Sequence, residues 1–417
     1  MPALTDWSAL EAAVRGAVRG VTASDIHTHL FPPSHGGLLL WGVDELLTYH
    51  YLVSELFTVA PSNLTPDGFY ALPKRQQADL VWEHVFLRHG GLSEAARGVM
   101  TTLNLLGLDV AGRDLSQARL WFDSQTIEEH LERVLDLAGV DWAVMTNDPF
   151  EAEEVPHLLA GRPVPARLRP ALRIEMPILK WPQAAAAMRK QGYRTPVARG
   201  PAAYAQARKF LRDWAKRTGP LYLAASLPPD FEYPSRGAST AVLDHVVLPA
   251  AKELHLPLAL MIGVRRRVNP PLGWAGDAMG DADVSSVQRL CQAHPDAKFL
   301  VTLLSRNNQQ ELAALAQRMP NLHVFGCWWF CNTPSVIAEI TRLRVELLGT
   351  AFTCQHSDAR VLEHLVYKWA HSRAVVADVL AEKYRLQFLA GWRPSEDEVR
   401  RDVRALFGGS FEEFLAR

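Results

Sequence analysis

His27 and His29 stand two positions apart in the run Ser24-Asp25-Ile26-His27-Thr28-His29-Leu30, and alternate residues of an extended strand point to one face. Two imidazoles side by side on a strand are half of a site for a divalent metal. A carboxylate lies near the other end of the chain, in Gln355-His356-Ser357-Asp358-Ala359-Arg360, which closes the last of a series of strand-like runs. If the first and last runs are neighbours in a closed barrel, Asp358 lies beside His27 and His29. Two neutral imidazoles and one carboxylate then form an open site for one divalent cation, with zinc the expected ion. Asp358 also precedes the helical run Val361 to Trp369, so it is equally a candidate helix N-cap.

The elements that must position these residues follow a regular rhythm. Eight apolar, β-branched-rich runs recur, most of them followed by a helical pattern: Val21 to Leu30, Asp141 to Asp148, Leu168 to Glu175, Leu221 to Pro229, Leu256 to Val264, Ala297 to Ser305, Asn321 to Phe330 and Leu347 to Asp358. Eight strands alternating with helices predict an α/β fold of the (β/α)8 TIM-barrel type, with residues 1–417 as one barrel domain. The rhythm is interrupted between the first and second runs. Asp44 to Leu56, Lys74 to Arg88 and Ser93 to Leu106 have helical apolar spacing there, while Thr126 to Leu137 reads as the barrel's own first helix. Residues 36–125 are therefore expected to be an inserted helical subdomain, leaving the carboxyl end of strand 1 and covering the face where barrel active sites are built.

Composition removes several classes of function. The chain has 417 residues, 48% of them hydrophobic, and a formal net charge of -1, so it has core material and no broad attraction for nucleic acid or an acidic membrane. Its one dense basic run, Arg265-Arg266-Arg267, is either a solvated loop or part of the catalytic mouth after strand 5. The four cysteines, Cys291, Cys327, Cys331 and Cys354, include no Cys-x-x-Cys pair and read as reduced thiols of a cytoplasmic protein. The N-terminal stretch reads as an amphipathic helix and not a signal peptide, and the run Leu38-Leu39-Leu40-Trp41 is too short to span a bilayer. Fingerprints for nucleotide phosphates are absent.

Five segments together resemble the uronate isomerases of the amidohydrolase superfamily, in particular their divergent bacterial branch. They are Asp25-Ile26-His27-Thr28-His29-Leu30, Asp44-Glu45-Leu46-Leu47-Thr48-Tyr49-His50-Tyr51, Met145-Thr146-Asn147-Asp148-Pro149-Phe150, Phe325-Gly326-Cys327-Trp328-Trp329-Phe330 and His356-Ser357-Asp358-Ala359-Arg360. The resemblance implies conversion of an open-chain hexuronate aldose to its ketose, D-glucuronate to D-fructuronate and D-galacturonate to D-tagaturonate, by a proton shift from C2 to C1. That chemistry requires a base near C2, stabilisation of the oxygens on C1 and C2, and a cation for the C6 carboxylate. With the resemblance, His27, His29 and Asp358 are the metal ligands, and Asp358 and Tyr51 the candidates for moving the proton, with His50 adjacent. Arg173, Arg266 and Arg360 are cations suited to substrate oxygens. A phenol beside a metal and an arginine is expected to ionise more readily than usual.

Alternatives remain for several of these residues. Tyr51 lies in a helical pattern and is also a candidate packed aromatic, and Arg173 could pair with Glu175 or Asp148. Trp328 and Trp329, read as strand neighbours, face opposite ways, so at most one lines the interior; the family pattern favours Trp329. Two features depart from that pattern: Met261 stands on strand 5 where a His is expected, and strand 4 ends in Ala225-Ser226-Leu227-Pro228-Pro229 without a carboxylate. Strand 4 also offers no lysine to bridge two metals, so a single metal is expected. The competing functions are a metal-dependent hydrolase of a small lactone or ester, and a silent sugar-acid-binding protein. A homo-oligomer is expected.

Overall fold

The computed structural model describes residues 3–417. Seven strands form one parallel sheet, in the order β1 (Ala23–Thr28), β2 (Val140–Asn147), β3 (Leu168–Arg173), β4 (Leu223–Leu227), β5 (Leu258–Ile262), β8 (Phe299–Leu303) and β9 (Leu322–Val324). A small antiparallel hairpin, β6 (Val264–Arg265) with β7 (Ala278–Met279), extends the connection after β5. β5 and β8 are buried throughout and, Thr302 apart, apolar, because helices cover their outer faces and side chains fill the interior. The interior is packed by Ile26, Val144, Ala171, Tyr222, Ala224, Met261, Leu300 and Phe325, with Phe411 and Phe414 of the C-terminal helix. Met261, standing where a histidine was expected, belongs to this apolar filling.

The eighth stave departs from the expected strand, Leu347 to Asp358. Leu347 belongs to the helix Pro334–Leu348, and the chain from Thr353 to Ala359 closes the barrel without forming a regular strand. On one side, Gly326 donates to the Thr353 carbonyl at 2.8 Å and Thr353 to Val324 at 3.1 Å. On the other, Asp358 donates to the His27 carbonyl at 3.1 Å and His29 to Ala359 at 2.7 Å. Between them, side chains replace ladder carbonyls: His356 N–H reaches its neighbour Gln355 Oε1 at 3.2 Å, and Ser357 N–H reaches Asp25 Oδ1 at 3.0 Å. The result is a (β/α)8-type barrel whose last seam is held partly by polar side chains.

Between β1 and β2 lie the helices Val43–Leu47, His50–Val59, Pro66–Tyr70, Lys74–Val81, Trp82–Arg88, Glu94–Leu105 and Ser116–Asp123. They gather around their own apolar cluster, which includes Leu46, Leu52, Phe69, Val85, Val99 and Phe122. The single helix expected over Asp44 to Leu56 is broken at Thr48, whose hydroxyl turns back to the Asp44 carbonyl at 2.7 Å. That break sets Tyr49, His50 and Tyr51 at the start of a new helix. Among the described residues no helix is long and apolar enough to cross a membrane.

β9 is also shorter than expected, because Gly326, two residues past its end, takes φ +63°. A Cβ at Gly326 would overlap the buried His356 ring. Gly326→Ala is therefore expected to lower unfolding free energy by ~3 kcal/mol or more, through overlap and left-handed strain together. Urea denaturation checks this, and an unchanged midpoint would contradict it.

Candidate active site

His27 is on β1 and His29 follows its end, their rings meeting edge to face with centroids 5.2 Å apart. Asp358 sits at φ +53°, a conformation costly for a residue with a Cβ, and this turns its carboxylate toward both rings. Asp358 Oδ1 lies 3.3 Å from His29 Nε2 and 3.8 Å from His27 Nε2. The cluster is buried apart from His29, which is partly exposed.

Hydrogen bonding fixes which face of each imidazole is available. Tyr222 donates its one proton to the Ile26 carbonyl at 2.6 Å, so its oxygen accepts from His27 Nδ1 at 3.2 Å. Thr146 likewise donates to the Thr28 carbonyl at 3.1 Å and accepts from His29 Nδ1 at 3.1 Å. In the neutral state both rings carry their proton on Nδ1 and present Nε2 lone pairs toward Asp358. His27 Nε2 and Asp358 Oδ1 are buried with no hydrogen-bond partner. Three acceptor atoms thus face one another, an arrangement that a cation relieves and that fits a divalent metal. Burial, with the neighbouring His29, holds His27 well below its ordinary pKa. Burial alone would raise Asp358, but the His29 contact and the positive charge that His29, Lys368 and His27 carry when protonated outweigh it and hold the carboxyl well below the usual range.

Several of the other expected site residues gather above this cluster. The Tyr51 ring stacks on His364 with centroids 6.3 Å apart, and His50 lies edge-on to Trp329 at 4.9 Å. Burial, then the nearby Tyr49 and Asp358, push the Tyr51 phenol well above its usual pKa. Burial pushes His50 down to about 3, leaving it neutral. Arg360 is mostly buried, donates to the Leu38 carbonyl at 2.8 Å and lies over the Phe31 ring.

Arg173, at the end of β3, pairs with Glu175 and stands 4.0 Å from Asp148, so the alternative of an internal ion pair is realised. Burial, then the charge on Glu175, push Asp148 up to about 8. Arg266 is half exposed, paired with Asp277 at 2.6 Å and stacked over Trp274, with no contact to the histidine cluster. The alternation argument for the tryptophans fails because neither is on a strand: Trp329 has φ +42° and begins a 3-10 turn. Trp328 fills the barrel interior and Trp329 packs against the same interior cluster, so the expectation that one must face the outer helices is corrected.

Tyr222, Thr146 and Lys368 were not singled out from the sequence. Tyr222 and Thr146 give no signal beyond strand position. Lys368 does, as a charge inside the apolar run Val366-Tyr367-Lys368-Trp369.

No protein-family model matches the chain, and no curated protein sequence matches it. Among solved structures, a uronate isomerase from Bacillus halodurans superposes with a TM-score of 0.96 at 44% identity, covering 99% of this chain and 98% of that one. A uronate isomerase from Thermotoga maritima has a TM-score of 0.79 at 14% identity, over 97% of both chains. A glucuronate isomerase from Caulobacter crescentus has a TM-score of 0.76 at 15% identity, over 100% of this chain and 95% of that one. The last two support the fold alone. The first, at its identity and coverage, shows that this chain belongs to the uronate isomerases.

Proposed function

We propose that the enzyme interconverts hexuronate aldoses and ketoses, D-glucuronate with D-fructuronate and D-galacturonate with D-tagaturonate, at the cluster formed by His27, His29 and Asp358. The observation that carries this reading is the convergence of His27 Nε2, His29 Nε2 and Asp358 Oδ1, three acceptors with no donor among them. Membership of the uronate isomerases decides against the lactone or ester hydrolase. One divalent cation on these residues, zinc in our reading, would supply Lewis-acid polarisation of the sugar oxygens.

The protein groups divide the proton work by their charge state. Asp358, held ionised, accepts a proton. Tyr51, held neutral by burial, has a proton to donate to a sugar oxygen as negative charge develops there. His50, neutral and packed against Tyr51 with ring centroids 4.5 Å apart, keeps the phenol in place. Arg360, largely buried and without a carboxylate partner among the described residues, is available to sugar oxygens. Trp329 and Trp328 wall the site, and the helical segment 36–125, which carries His50 and Tyr51, acts as its cover.

Arg173 meets the substrate carboxylate in this reading, with Glu175 as the group to be displaced or shared. Arg266, stacked on Trp274 at the exposed rim, has the weaker claim to a substrate oxygen. The four unpaired, buried cysteines support a cytoplasmic setting.

Incubation with each hexuronate in heavy water, with and without chelator, tests the reaction. Solvent deuterium should enter the sugar with aldose-to-ketose conversion, and chelation should stop both; hydrolysis or no turnover would contradict the reading. The His27→Ala/His29→Ala protein should lose its metal, which elemental analysis checks; unchanged metal content would remove this ligand set. Tyr51→Phe should fold, retain metal and lose C2 proton exchange by ~100-fold or more. Near-normal exchange would return Tyr51 to the helical core. Arg173→Met should weaken hexuronate binding by ~1.5 to 3 kcal/mol, measured as KM or by calorimetry. Unaltered preference for uronates over uncharged hexoses would remove Arg173 from the carboxylate site.

A further inference from the structure

Lys368 projects from the first turns of the helix His364–Leu389 and is only 2% exposed. Its Nζ makes no hydrogen bond, and among the described residues no carboxylate lies within ion-pair distance of it. A buried ammonium without a partner is an expensive placement, and a methionine would fill similar space without that cost. What Nζ does meet is the ring of Tyr51, whose centroid is 5.2 Å away. The same ring stacks on His364. The Tyr51 hydroxyl is itself buried and makes no well-directed hydrogen bond.

A cation above an aromatic ring is drawn to its electron density. The attraction strengthens as a phenol gives up its proton, because the ring then carries negative charge. We propose that Lys368 is a positioning residue that acts through Tyr51: its ammonium holds the ring and stabilises the negative charge that develops on the phenolic oxygen during hexuronate isomerisation. In that step the Tyr51 O–H bond breaks and its proton passes to a sugar oxygen, while Lys368 keeps all its protons. The inference rests on the reading of Tyr51 as a proton carrier.

The surroundings are consistent with a protonated Lys368. Burial lowers it to about 8, while Asp358, Asp25 and Glu94 act to keep it charged. The other titratable groups close enough to feel it are His50, His356 and His364, all held below their ordinary pKa chiefly by burial. Lys368 is thus the cation of this buried group of rings.

The test is a double-mutant cycle on the metal-loaded enzyme with Lys368→Met, Tyr51→Phe and the combined variant, plus Lys368→Arg. Lys368→Met should reduce kcat about tenfold or more with KM nearly unchanged, while metal content is retained and thermal stability is not reduced. Lys368→Arg should keep most of the activity. In the Tyr51→Phe background, Lys368→Met should change kcat less than about twofold. Unchanged kcat in Lys368→Met, or a full additional loss in the Tyr51→Phe background, would overturn the inference while leaving the role of Tyr51 intact. Undiminished activity of Tyr51→Phe would overturn both. If Lys368→Met fails to fold, Lys368→Gln carries the same measurements.

Discussion

The carboxylate of Asp25 is the contact on which the rest of the active site depends. It is fully buried in β1 and accepts from Ser357 N–H at 3.0 Å and from the Trp369 indole at 2.8 Å. Burial of this group is costly, and its pKa is pushed up to about 6 even with those donors in place. In return, one side chain ties together the first stave, the irregular eighth stave and the long helix that follows. The Ser357 N–H has no ladder carbonyl, so without Asp25 the backbone next to Asp358 would lose its anchor. The position of Asp358 against His27 and His29 follows from that seam.

Beside the seam, two hydroxyls orient the metal-ligand histidines. Tyr222 and Thr146 each spend their single proton on a backbone carbonyl and receive one from an imidazole. Each therefore acts twice, capping a β1 carbonyl and orienting a histidine. The polar atoms left without partners on His27 and Asp358 point at one another, where bound metal and substrate would meet them. Tyr51 and Lys368 form a second pair of unpartnered groups above this cluster.

Much of this was legible in the amino-acid sequence because it depends on residue type and period. The His27 and His29 pair is visible from spacing alone, and the run Leu256 to Val264 reads as a strand whose structural counterpart is Leu258–Ile262. The features that were not legible depend on backbone conformations or tertiary bonds with no local signature. Asp358 and Trp329 take positive φ although neither is glycine, which invalidates strand parity at the tryptophans. The eighth stave could not be read as irregular, because its replacement bonds come partly from Asp25, distant in sequence. The burial of the Tyr51 phenol is set by helices that the sequence places only approximately. Arg173 could be placed at the end of a strand, but its choice between substrate and Glu175 is a matter of side-chain reach.

The central claim is that His27, His29 and Asp358 together form one metal site. X-ray absorption at the zinc edge of the zinc-loaded enzyme tests it most directly, because imidazole nitrogen, carboxylate oxygen and thiolate sulfur scatter differently. The expected spectrum contains the multiple scattering of two imidazoles with the remaining ligands all oxygen. A spectrum with sulfur in the first shell, or without two imidazoles, would contradict the claim.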